Sequence, residues 1–173
     1  PSKSVTVSGT GIDSSSLYIK TYYVAPDGND SNPGTISSPF LNISKAVSLA
    51  QAGDTIFVRG GKFTYNTTIR LSQSGTEQKR ICLFAYPGEH PELDFSTQPY
   101  GADYRAFLLT GNYWYIKGLE IHNAGDNGIK LEGSHNIIEL CLIHHCGDSG
   151  IQLGFGHKFE DSHPGISKND GTY

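Results

Sequence analysis

The chain has 173 residues, enough for one sizeable apolar core, with 13 Lys and Arg against 17 Asp and Glu for a net charge of −4. The basic residues form no run, so a nucleic-acid partner has no electrostatic support, and no stretch approaches the roughly 20 apolar residues of a membrane span. With 21 Gly, 10 Tyr and 8 Phe, no Met and only short apolar runs, the composition fits a β-rich chain with many turns. Cys82, Cys141 and Cys146 are spaced unlike a zinc site and read first as buried thiols.

Residues 1–20 are rich in Ser and Gly and read as a tail or linker; residues 21–173 form the folded part. Tyr22 to Ala25 is a short β-prone run, followed by a loop of alternating Gly, Pro, Asn and Asp. From Ser38 the pattern changes. Phe40, Ile43, Ala46, Val47, Leu49 and Ala50 recur at helical spacing, which predicts one amphipathic helix with Ser37 or Ser38 as N-cap and Pro39 in the first turn, ending at Gly53. Strands are predicted in "DTIFVRGG", stopped by the paired glycines, in "TTIRLS" and in "RICLFAYPG". They continue every 8 to 12 residues: Glu92 to Phe95, Ala106 to Thr110, Tyr113 to Ile116, Leu119 to Ile121, Gly128 to Leu131, Ile137 to Leu142 and Gly150 to Leu153.

A self-match decides the architecture. "IHNAGDNGIKL" (Ile121 to Leu131) returns 22 residues later as "IHHCGDSGIQL" (Ile143 to Leu153), identical at seven of eleven positions. Ile116 falls on Ile138, Leu119 on Cys141 and Ala124 on Cys146; one period earlier, Phe107 and Leu109 take the places of Ile129 and Leu131. A unit this short cannot bury its own apolar face and must stack on copies of itself. Three strands and three turns per repeat make one coil of a parallel β-helix, an all-β solenoid with equivalent residues about 4.8 Å apart along the stack. The helix then serves as an N-terminal cap over the open end of the first coil.

The segment from Tyr22, with Tyr22-Tyr23-Val24, Asp27-Gly28, Asn32-Pro33-Gly34, Ala50, Gly53-Asp54-Thr55 and Gly60, resembles the opening of the right-handed β-helix polysaccharide lyases of family nine, the pectate and rhamnogalacturonan lyases. The resemblance implies a secreted, periplasmic or cell-surface enzyme acting on an acidic plant-cell-wall polysaccharide. In that chemistry a bound Ca²⁺ neutralises the uronate carboxylate and stabilises the enolate-like state, while a lysine of lowered pKa removes the C5 proton and β-elimination follows. The family's base lysine would fall at Glu132 or Gly154, which cannot serve, so the catalytic lysine and the calcium site are expected beyond residue 173, the chain being read as the N-terminal part of a longer solenoid. A non-catalytic carbohydrate-binding β-helix and a glycoside hydrolase of the same architecture stand as alternatives.

Within the chain, Lys130 and Gln152 point outward on the expected groove ribbon by strand alternation, and His157 and Lys158 open a polar stretch that leaves from the same side. These four are the candidate substrate contacts. Asp126 and Asp148 read chiefly as turn residues in Gly-Asp-x-Gly, the glycines being expected at positive φ; a carboxylate pair or a shared Ca²⁺ is the sharper alternative. His122 and His144 are expected to stack on the exterior, and Asn123 and His145, at one coil position, to tighten a bend through side-chain hydrogen bonds. Tyr100, Tyr104, Tyr113, Trp114 and Tyr115 are available to stack on sugar rings, with Trp114 or Tyr115 turned inward.

Overall fold

A computed structural model describes residues 19–154. The strands run in chain order β1 (Thr21–Val24), β2 (Thr55–Val58), β3 (Gly61–Thr64), β4 (Ile69–Leu71), β5 (Ile81–Ala85), β6 (Pro91–Asp94), β7 (Phe107–Leu109), β8 (Trp114–Lys117), β9 (Glu120–His122), β10 (Ile129–Leu131), β11 (Ile137–Glu139), β12 (Leu142–His144) and β13 (Ile151–Leu153), with helix α1 (Ile43–Leu49) between β1 and β2. All strand pairs are parallel, in three sheets: β1-β2-β5-β8-β11, then β3-β6-β9-β12, then β4-β7-β10-β13. Each coil gives one strand to each sheet in turn, which is the predicted parallel β-helix.

The register is the one the 22-residue self-match requires. Ile116 pairs with Ile138, Ile121 with Ile143, Ile129 with Phe107 and Ile151, and Leu131 with Leu109 and Leu153. Alternation sends these residues into the bore, where Leu93 and Ile121 of the second sheet and Phe107, Leu109 and Ile129 of the third are fully buried. Each such side chain contributes about 1.5–3 kcal/mol of burial, so the stack is held mainly by its apolar columns. Trp114 turns inward and Tyr115 outward; the indole N–H donates to Gln73 O at 2.7 Å.

The bends also repeat. Tyr113 and His135, and Asn123 and His145, sit at positive φ 22 residues apart, while Leu140 takes at φ 53° the place Gly118 holds one coil earlier at φ 76°. This bend divides the predicted strand Ile137 to Leu142 into β11 and β12. Asn123 and His145 do share a bend, but no hydrogen bond joins them: the Asn123 amide donates to Asp94 Oδ1 at 3.0 Å, back to the preceding coil.

One further expectation is corrected. Helix α1 is shorter than its apolar pattern suggests, with Asn42 as N-cap, because Phe40 is held as an extended bridge against Val24. The Asp30 carboxylate fixes that approach by accepting from Leu41 N, Asn42 N and Asn42 Nδ2 at 3.0, 2.9 and 2.7 Å. The strand before the paired glycines stops as expected, β2 ending at Val58; the chain turns at Gly60 and Gly61 opens β3, the corner being pinned by the Glu89 carboxylate, which accepts from Gly60 N at 2.6 Å and from the Arg59 guanidinium. As predicted, α1 lies over the first coil, burying Ile43, Ala46 and Val47 against β1, β2 and β4.

Candidate functional site

The third sheet presents Arg70, Leu108, Lys130 and Gln152 as one outward row in register across β4, β7, β10 and β13. Lys130 projects away from the bore, as alternation requires, yet it is not a solvated stem: it is 4% exposed and its ammonium donates to Gln152 Oε1. Burial, followed by the nearby Arg105 charge, lowers its pKa, against the opposing pull of Glu132, Asp126 and Asp148. Gln152 is half-buried beside it. His157 and Lys158 lie outside the described residues.

The two aspartates stack in the turn that leads into this sheet, where Asp148 N donates to Asp126 O at 3.0 Å. The glycine before each is required by crowding and not by positive φ: a Cβ on Gly125 would lie 2.0 Å from Pro99 O, and one on Gly147 2.4 Å from Gly125 O. Both carboxylates have protein partners. Arg105 Nε lies 3.4 Å from Asp126 Oδ2, an ion pair without hydrogen-bond alignment, and Asn127 Nδ2 donates to Asp148 Oδ2 at 3.0 Å and to Ser149 Oγ at 3.1 Å. Burial raises the Asp126 pKa, and Asp148 adds to the rise while Arg105 opposes it.

The second sheet carries the denser polar array. His122 and His144 stack as expected, ring centroids 5.0 Å apart and planes within 3°. Each meets a glutamate of the preceding coil: His122 Nε2 to Glu92 Oε1 at 3.0 Å, His144 Nε2 to Glu120 Oε1 at 2.9 Å. Below them Lys62 Nζ contacts Glu92 Oε1 at 3.1 Å and Asp94 Oδ2 at 2.8 Å. Burial acts to raise the Asp94 pKa, but hydrogen bonds from Lys62, Asn123 and Ser96 outweigh it and hold the carboxyl well below the usual carboxylate range.

Glu92, Asp94 and His122 thus converge within 4.8 Å, a grouping that sequence reasoning missed. Asp94 and His122 are 28 residues apart and in register, because the loop between β6 and β7 lengthens that coil and breaks the 22-residue count. The alternation in "PELD" was the available signal. This grouping does not suit Ca²⁺, which takes six to eight oxygen ligands: it offers two carboxylates and an imidazole, and the Lys62 ammonium already lies against both carboxylates. Asp126 and Asp148, held by Arg105 and Asn127, offer no oxygen cage either. No described helix is long and apolar enough to cross a membrane.

Comparison with known proteins places this architecture. Residues 22–171 match the family model of the Pel9A-like, right-handed β-helix region. Pectate lyase L of Paenibacillus polymyxa (strain SC2) is 43% identical over 139 residues, which cover 79% of this chain and 31% of that protein. The crystal structure of pectate lyase Pel9A superposes with a TM-score of 0.69 at 34% identity, over 77% of this chain and 35% of that one. A rhamnogalacturonan lyase shares the fold, with a TM-score of 0.58 at 20% identity over 78% of this chain and 53% of that one. The chain therefore spans about a third of the length of the pectate lyases it resembles. Its sequence matches that family's model over most of its length, and the chain belongs to the Pel9A-like right-handed β-helix proteins.

Proposed function

We propose that the chain is the cap and first coils of a secreted pectic polysaccharide lyase, with its acidic polymer lying along the third sheet. The observation that carries this reading is the family match over residues 22–171, joined to the charge of the three outward faces. On the second sheet the strands present Glu92, Asp94 and Glu120 outward against one Lys62, an acidic balance that disfavours a polyuronate. On the first they present mainly aromatic rings: Tyr23, Phe57, Phe84 and Tyr115 contact one another in sequence along the stack. The third-sheet strands carry Arg70 and Lys130 outward and no carboxylate. Charge complementarity therefore favours this face for an acidic sugar chain.

In this assignment Lys130 supplies field from under the groove surface, Gln152 supplies a polar contact, and His157 and Lys158 extend the wall. The proton-abstracting lysine and the calcium-binding aspartates belong to coils after residue 173. The test is made on the longer protein with polygalacturonate. A calcium-dependent rise in the ultraviolet absorbance of unsaturated uronides, abolished by chelator, supports the lyase. Calcium-independent release of reducing ends without that absorbance indicates a hydrolase, and retained binding with neither signal indicates a carbohydrate-binding module; either result overturns the proposal.

A further inference from the structure

We infer that Arg70 is a specificity-determining contact for the carboxylate of an acidic sugar at the N-terminal end of the third-sheet face; this rests on the preceding reading of that face. Four cations lie on the described strands: Lys62, Arg70, Lys117 and Lys130. Three of them are committed to the protein. Lys62 pairs with Glu92 and Asp94, Lys117 Nζ lies 3.0 Å from Glu139 Oε1, and Lys130 is covered and donates to Gln152. Arg70 is exposed and, among the described residues, makes no ion pair.

Its placement is rigid at the backbone. Ile69 and Leu71 on either side are 1% and 0% exposed, anchored in the bore, so the middle residue of β4 must face outward. A guanidinium offers a planar pair of donors that matches a carboxylate in bidentate fashion, and it stays charged throughout the accessible pH range. The next rung up is Leu108, half-buried and apolar, and the one after is Lys130. By strand spacing Arg70 and Lys130 stand about 10 Å apart, and Arg70 stands about 14 Å from Gln152. The row thus alternates cation, apolar rung and cation, the order presented by an extended uronan whose ring C–H faces separate its carboxylates. Arg70 is far from any chemistry in later coils, so it selects and holds polymer without acting on the reacting atoms.

The experiment compares Arg70→Met, Arg70→Lys and Lys117→Met with the unaltered chain by affinity electrophoresis through polygalacturonate and through its fully methyl-esterified, uncharged form. Thermal melts accompany each variant; Arg70 is exposed, so all should fold. Arg70→Met is expected to lose about tenfold in affinity for the acidic polymer, the order of one charge-assisted bidentate contact. It should lose nothing for the ester, with Arg70→Lys intermediate and Lys117→Met unchanged. In the longer protein the same change should raise KM for polymer but leave kcat, and leave short oligomers unaffected. Unchanged binding by Arg70→Met overturns this inference and leaves the functional reading standing, as does an equal loss in Lys117→Met, which would show a general charge effect. Absence of polygalacturonate binding in the unaltered chain overturns this inference, and its absence in the longer protein as well overturns both.

Discussion

Asp94→Ala tests the polar array of the second sheet quantitatively. The Asp94 side chain is 8% exposed and accepts from Lys62 Nζ at 2.8 Å, Ser96 N at 2.9 Å, Ser96 Oγ at 3.1 Å and Asn123 Nδ2 at 3.0 Å. Lys62 is half-exposed and can return to water, so its share is at most about 1 kcal/mol. The bonds from Ser96 N and the Asn123 amide reach a buried charged acceptor and hold the bend at Asn123, and each is worth about 1.5 kcal/mol or more. Because such contributions are not additive, the expected loss is about 2–4 kcal/mol at neutral pH. The pH dependence has a definite sign. The folded carboxyl ionises below its ordinary value of about 4, so its stabilisation is whole above that pH and is lost as pH falls toward the folded value. Urea unfolding followed by circular dichroism should therefore show the gap between the parent and Asp94→Ala narrowing from about pH 7 to about pH 3. A loss under about 1 kcal/mol, or a gap that is constant with pH, would refute the account.

Leu140 occupies a left-handed bend at φ 53° with its side chain 75% exposed, so Leu140→Gly should relieve about 1–2 kcal/mol of backbone strain against about 0.5–1 kcal/mol of added chain entropy. A small rise in the urea midpoint is expected, and a fall would show that the leucine packs usefully. Lys130→Met should raise the thermal midpoint near neutral pH by removing a buried ammonium of depressed pKa. In the parent the folded lysine releases its proton before the unfolded one, so stability rises with pH and the variant's gain should fade toward about pH 10; a variant less stable than the parent near neutrality contradicts this. Calcium should raise the melting temperature of the longer protein and leave that of the 173-residue chain unchanged. An equal rise in both would place a calcium site within the residues described above.

Much of the fold was legible because two signals agreed. The self-match between Ile121–Leu131 and Ile143–Leu153, 22 residues apart, carries both the strand alternation and the bend positions, so register followed from counting. The signal failed where coils differ in length. Between β6 and β9 the period is 28, and the Glu92, Asp94 and His122 grouping was invisible to a count of 22. The helix was overextended because Phe40 suits either a helical face or a buried extended bridge, and backbone hydrogen bonds to Tyr23 and Ala25, with the Asp30 carboxylate holding Leu41 and Asn42, decide between them. Lys130 was placed on the correct side of its strand, but whether an outward residue is wet depends on what packs over it, which no local pattern encodes.

Stacking also constrains where charge can remain available. Equivalent residues on successive coils stand about 4.8 Å apart, so a repeated ionisable residue meets its own copy unless something intervenes. Here His122 and His144 are each met by a glutamate from the coil before, and Asp126 and Asp148 by Arg105 and Asn127. These repeats are compensated within the protein, and having acquired partners they are poor candidates for binding a charged ligand. The outward row of the third sheet follows the opposite course. Arg70 and Lys130 are separated by Leu108, so the cations do not adjoin, and the strands supply no carboxylate to answer them. Repeated polar residues in this solenoid accordingly identify its internal scaffolding, whereas in the non-repeating row, Arg, Leu, Lys and Gln, the exposed Arg70 is the charge left for a partner from outside.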